Sequence, residues 1–76
     1  MSHLPILRPR ELLKILKKLG FREVRQKGSH LFLEHPDGRT TVVSIHEGED
    51  IGRGLIRQIL REIELTPEEF IRFFKD

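Results

Sequence analysis

Phe21-Arg22-Glu23-Val24-Arg25-Gln26-Lys27-Gly28-Ser29-His30-Leu31-Phe32-Leu33-Glu34-His35 (residues 21–35) is the stretch whose reading decides the fold. Two strand-like runs flank Lys27-Gly28-Ser29-His30. Glycine admits backbone angles closed to other residues, so Gly28 can end one strand and let the next begin sharply. The bend carries a hydroxyl on Ser29 and an imidazole on His30, with Arg22, Arg25 and Lys27 just upstream. Histidine alone changes charge near neutral pH without a shift from its surroundings. A titrating ring among three cations suited to phosphate makes this bend the first place to look for RNA chemistry.

Residues 30–35 form the second strand, and Thr40 to His46, rich in β-branched residues, form a third. Pro36-Asp37-Gly38-Arg39 between them supplies a proline to start a turn and Asp-Gly to complete it. Residues 22–27 are weakly apolar, which predicts an edge or exposed strand. Alternation puts Leu31, Leu33, Val43 and Ile45 on a covered face, and His30, Phe32, Ser44 and His46 on the other. A three-residue loop of Asp37, Gly38 and Arg39 pairs His30 with His46. A four-residue loop puts Phe32 opposite Val43. The first register is preferred.

Upstream, Pro9 suits the first turn of a helix, and Leu12, Leu13, Leu16 and Leu19 recur at helical spacing up to a C-terminal Gly20. Met1 to Leu7 read as an irregular lead-in that includes His3. Downstream, Leu55, Ile56, Ile59, Leu60 and Ile63 form the apolar stripe of a second helix. Thr66-Pro67-Glu68-Glu69 is a capping box that opens a short third helix carrying Phe70, Ile71, Phe73 and Phe74. The expected order is α-β-β-β-α plus a short C-terminal helix. Two helices cover one face of a three-stranded antiparallel sheet and leave the other open, the α+β layout of a double-stranded RNA-binding domain.

The 76 residues leave room for one domain, 1–76, and one small core. There is no cysteine, hence no disulfide and no cysteine-ligated zinc. No apolar run is long enough for a membrane span and no signal-peptide pattern is found, which fits the cytoplasm. The net charge of +2 hides an asymmetry. Residues 1–30 hold eight Lys/Arg against Glu11 and Glu23, a net +6; residues 31–76 hold six against ten acids, a net −4. One cationic face meeting a polyanion is the implication, although Lys14, Lys17 and Lys18 read simply as the solvated side of a helix. His46, Glu47, Glu49 and Asp50 match no metal-ligand spacing, and no metal or other cofactor is expected.

By residue chemistry alone, a partly exposed strand histidine without a special task is the commoner reading of His30. The neighbouring cations and the open sheet face raise the catalytic one. His46 is an accessory candidate, as a second acid–base group. Ser29 reads as a backbone hydrogen-bonding residue, since as a nucleophile it lacks a relay. Phe32, if outward, offers a stacking surface to an unpaired base. His35 reads as a surface residue near the turn.

The chain also resembles a family. Leu-Gly-Phe at 19–21, Arg-Gln-Lys-Gly-Ser-His at 25–30, Pro-Asp-Gly at 36–38, a strand ending in His46, and Leu-Ile-Arg-Gln-Ile-Leu at 55–60 look like the HicA toxins, the mRNA interferases of HicA–HicB toxin–antitoxin modules. The resemblance runs from about Pro9 to Phe70. It implies a fold like the double-stranded RNA-binding domain, a catalytic histidine at His30, mRNA cleavage without a required metal, and a HicB-type antitoxin that covers the site. Ser44 departs from the pattern, since many members have a proline there. Arg22, Arg25, Lys27 and Phe32 are then the RNA-binding candidates, on a protein expected to be a monomer or weak oligomer when free. The alternative is a non-catalytic module that binds double-stranded RNA or a protein partner.

Overall fold

The computed structural model describes residues 4–46 and 48–74; His3, Glu47 and the side chain of Phe74 fall outside that description. Helix α1 (Pro9–Lys18) leads into strands β1 (Arg22–Lys27), β2 (His30–Glu34) and β3 (Thr40–Ser44). Helices α2 (Arg53–Glu62) and α3 (Pro67–Ile71) follow, and a 3₁₀ turn (Arg72–Phe74) closes the described chain. The sheet is antiparallel throughout, in the order β1-β2-β3. The expected α+β arrangement, like that of a double-stranded RNA-binding domain, is the one observed.

The apolar stripes find each other. Leu12, Leu16, Ile56, Ile59, Ile63 and Phe70 are buried against Leu31, Leu33 and Val43 from the sheet, and Ile45 packs on the same core from a half-buried position. Fully burying one such aliphatic side chain stabilises by ~1.5–3 kcal/mol, which drives both helices onto one sheet face. Thr41 is buried there as well and is satisfied by donating to the Glu62 carboxylate at 2.7 Å. All six residues of β1 are exposed, because the helices do not extend over this edge strand.

Both long helices end in the same way. After α1, the Gly20 amide donates to the Lys17 carbonyl at 3.1 Å and Phe21 to Leu16 at 3.0 Å. After α2, Glu64 donates to Arg61 at 3.3 Å and Leu65 to Leu60 at 3.0 Å. This is the Schellman pattern, which needs positive φ at its pivot. Gly20 takes φ +103° there; Glu64 takes +58° without the freedom of glycine.

Residues 4–7 correct one expectation. Residues 4–6 form neither helix nor strand, yet Leu4 and Leu7 are only 1% and 2% exposed, inside the core. Leu7 forms an antiparallel bridge with Ile51, and the Leu4 carbonyl accepts from Arg53 Nε at 2.6 Å. The segment is a structural part of the fold.

The β2–β3 turn corrects another. His30 lies opposite Ser44, Phe32 opposite Val42 and Glu34 opposite Thr40; neither His30–His46 nor Phe32–Val43 is a pair. The loop does have three residues, but they are Pro36, Asp37 and Gly38, closed by the His35 amide donating to the Arg39 carbonyl at 2.8 Å. Gly38, at φ +101°, takes the left-handed place at the third loop position, which fixes the centre one residue earlier than Asp-Gly-Arg. The resulting shift of two residues preserves every inward and outward assignment.

His35 is not a free surface residue. Its Nε2 lies 3.1 Å from the Leu19 carbonyl, and Nδ1 accepts from the Asp37 amide at 3.1 Å. Nδ1 also lies 3.0 Å from a carboxylate oxygen of Asp37. The ring packs edge-on against Phe21 at 5.1 Å. Arg39 stands over the other part of Phe21, 5.3 Å from the ring centre, and donates to the Ile63 carbonyl at the end of α2. The β2–β3 turn is thus fastened to the C-terminal ends of both long helices.

Candidate nucleic-acid interface

The Gly28–Ser29 turn lies at the other end of β2, about 16 Å away by strand rise over five residues. Lys27 pairs with His30, leaving Gly28 and Ser29 as a two-residue loop. Gly28 has φ +58° while Ser29 is not in the positive-φ region; positive φ at the first central residue alone is the pattern of a type II′ hairpin turn, which takes glycine there. Gln26 Nε2 donates to the Gly28 carbonyl at 3.2 Å, and the Ile45 amide donates to the Ser29 carbonyl at 2.6 Å. The turn is thus tied through its two carbonyls to β1 and to the residue that follows β3.

The exposed sheet face carries most of the predicted site. Since Leu31, Leu33, Thr41 and Val43 point to the core, His30, Phe32 and Ser44 point away from it. Cross-strand partners share a face, which adds Lys27 opposite His30, Arg25 opposite Phe32 and Arg22 opposite Glu34. Simple alternation would send Arg22 to the other side from Arg25 and Lys27. A bulge between Glu23 and Arg25 absorbs one residue, and all three cations join His30. Nothing in the sequence reading anticipates that bulge.

Phe32 is half-buried, and its ring is already occupied: the Arg25 guanidinium lies 4.8 Å from the ring centre. A cation over an aromatic face is attracted by the ring quadrupole, by ~0.5–1 kcal/mol at exposed sites. The pair holds Arg25 over the sheet face and leaves the outer side of the guanidinium plane to meet phosphate or a base. His46 is not brought across from His30. It follows Ile45 beyond the end of β3 and lines a separate cleft with Arg8 and Arg10.

Two carboxyl groups that hold their charge more firmly than usual lie away from this face. The Arg39 amide donating to Asp37, reinforced by the Arg39 side chain, holds that carboxyl below its ordinary range. The Thr66 amide and hydroxyl do the same for Glu69 in the α3 capping box. Among the described residues no group of three or more His, Asp or Glu is arranged to hold a metal ion, and no helix is long and apolar enough to cross a membrane.

A three-stranded antiparallel sheet with helices on one face defines a small α+β protein with a fold like that of a double-stranded RNA-binding domain. The sequence model of the family described as "HicA toxin of bacterial toxin-antitoxin" matches residues 9–65, from the first residue of α1 to the loop after α2. That is well over half of the 76-residue chain, and the protein belongs to the HicA toxin family. A search among curated proteins finds no match.

Proposed function

We propose that this protein is a cytoplasmic ribonuclease toxin that cleaves mRNA and is neutralised by a HicB-type antitoxin. Membership of a toxin–antitoxin family supports a toxin role and an antitoxin partner. The observation that carries the chemistry is the assembly of His30, Lys27, Arg25 and Arg22 on one exposed sheet face next to a pinned glycine turn.

His30 takes the proton from a ribose 2′-hydroxyl, and O2′ attacks the adjacent phosphorus. The P–O5′ bond breaks, giving a 2′,3′-cyclic phosphate and a 5′-hydroxyl. Lys27, Arg25 and the backbone amides of the turn hold the phosphoryl oxygens as charge develops on them. The departing O5′ takes its proton from water or from His46; the register that puts Ser44 across from His30 favours water. Arg22 and the Arg25–Phe32 pair bind the flanking backbone.

The test is cleavage of a defined RNA by purified protein in EDTA, with end-group analysis. Cyclic phosphate ends are expected, with no cut where the ribose upstream of the bond is 2′-deoxy. Retention of RNA without any cleavage would instead identify a binding module.

A further inference from the structure

A second cleft lies beside His46. It encloses about 710 Å³ and is lined by Arg8, Arg10, Ile45, His46, Glu49 and Asp50, within the size range of small-ligand sites. The Leu7–Ile51 bridge builds it. Ile51 donates to the Leu7 carbonyl at 2.6 Å and Leu7 to Ile51 at 3.3 Å, and both side chains are buried. The next residues in register, Arg8 and Asp50, therefore turn outward on the same side. On the other wall, Glu49 donates its amide to the His46 carbonyl at 3.0 Å, which closes the loop after β3.

Two guanidinium groups and two carboxylates thus face one cleft. Their formal charges cancel, so the cleft is not a simple phosphate trap. Yet among the described residues none of the four enters an ion pair within 4.0 Å. Arg8 and Asp50 stay apart although the bridge sets them side by side. Cationic and anionic side chains that share a cleft without pairing suit a ligand with an anionic end and an edge of N–H donors, and a nucleotide has both. A carboxylate presents two acceptors side by side. Among the four RNA bases only guanine presents two adjacent donors to match them, N1–H and the N2 amino group; adenine sets one donor beside an acceptor, cytosine one donor beside two acceptors, and uracil one donor between two acceptors.

The segment that lines the cleft runs on directly from the strand that pairs with the proposed site of cleavage. Ser44 stands opposite His30, Ile45 is hydrogen-bonded to Ser29, and His46 is the next residue along. We propose that the cleft is a base-recognition subsite: Asp50 accepts the two donors of a guanine near the cleaved bond, and Arg8 and Arg10 hold its phosphate. The proposal rests on the ribonuclease reading and assigns its sequence preference.

The experiment compares RNA oligonucleotides that carry a single guanine with the same oligonucleotides carrying inosine, which lacks only the N2 amino group. A hydrogen bond to a charged group is worth enough to give ~10-fold discrimination. The parent protein is expected to cut the guanine substrate about that much faster. In Asp50→Asn, with its melting temperature checked, the guanine-to-inosine ratio should fall toward one. Equal cleavage of the two substrates by the parent overturns the subsite while leaving the ribonuclease reading intact. So does an Asp50→Asn protein that is folded and keeps the full ratio, as it would if the arginines and carboxylates merely attract each other. A parent that cuts no RNA removes the ribonuclease reading and the subsite together.

Discussion

Gly20→Ala is the substitution whose cost can be worked most fully from the structure. Gly20 has φ +103°, and a Cβ built there would lie 2.8 Å from His35 Nε2 and 3.1 Å from its Cδ2. A left-handed backbone costs a non-glycine residue ~1–2 kcal/mol. The imidazole cannot simply swing away, because Leu19, Asp37 and Phe21 all contact it. Displacing it forfeits a hydrogen bond worth ~0.5–1.5 kcal/mol. The total is about 1.5–3.5 kcal/mol, a large share of the stability of so small a domain. At ~4–8 °C per kcal/mol for this size, the melting temperature should drop by roughly 6–28 °C. The assay is thermal unfolding of the parent, Gly20→Ala, His35→Ala and the double variant. In the His35→Ala background the added Cβ meets no ring, so the cost of Gly20→Ala should shrink to the backbone part alone. A loss below about 0.5 kcal/mol, or strict additivity in the double variant, would refute the close-approach argument.

Glu64→Gly should stabilise the protein by about 0.5–1 kcal/mol, since glycine relieves the positive φ at the α2 pivot and gives back part of the gain as chain entropy; a lower melting temperature would count against it. Asp37 and Glu69 titrate below their ordinary range in the folded protein, so their contribution is present at neutral pH. It is lost as pH falls through the ordinary carboxylate region near 4 and then through the lower folded values. Melts between pH 6 and pH 2 should therefore show a flatter acid limb for Asp37→Asn/Glu69→Gln than for the parent, and superimposable limbs would contradict the sign. RNA affinity should fall steeply with salt, and Lys27→Ala should reduce the log–log slope by about 0.7, the value for one phosphate contact on a single strand; an unchanged slope would remove Lys27 from the interface.

The parts of the fold that repeat a local pattern were legible in the sequence. Pro9, the leucine spacing and Gly20 delimit α1; Thr66 and Glu69 announce α3; alternation assigns Leu31, Leu33 and Val43 to the core. What was not legible depends on contacts distant in sequence or on a single dihedral angle. Leu4 and Leu7 follow no period, and their burial comes from pairing with Ile51, 44 residues beyond Leu7. The turn at 36–38 hinges on which loop position Gly38 occupies, and composition alone does not say. His35 has the inward parity that alternation assigns, but the end of α1 is what gives that position a partner. At the candidate site, His30, Phe32 and the cations were named from residue type and neighbourhood. Their common face depends on a bulge at Val24 with no signature in Glu23-Val24-Arg25. Arg8 and Arg10 entered only as charge, because a cleft formed by segments so far apart in the chain leaves no local motif.

The central claim is that His30 performs the chemistry while the cations supply the affinity. His30 is exposed, so truncating its ring removes no buried contact. The decisive measurement is the single-turnover cleavage rate of His30→Ala on a defined RNA, beside its melting temperature and its affinity for the same RNA. A positioned general base contributes about 10²–10⁴-fold; the rate should fall by that factor, with the melting temperature and the affinity close to those of the parent. A folded His30→Ala protein that cuts RNA as fast as the parent would contradict the account and move the search to His46.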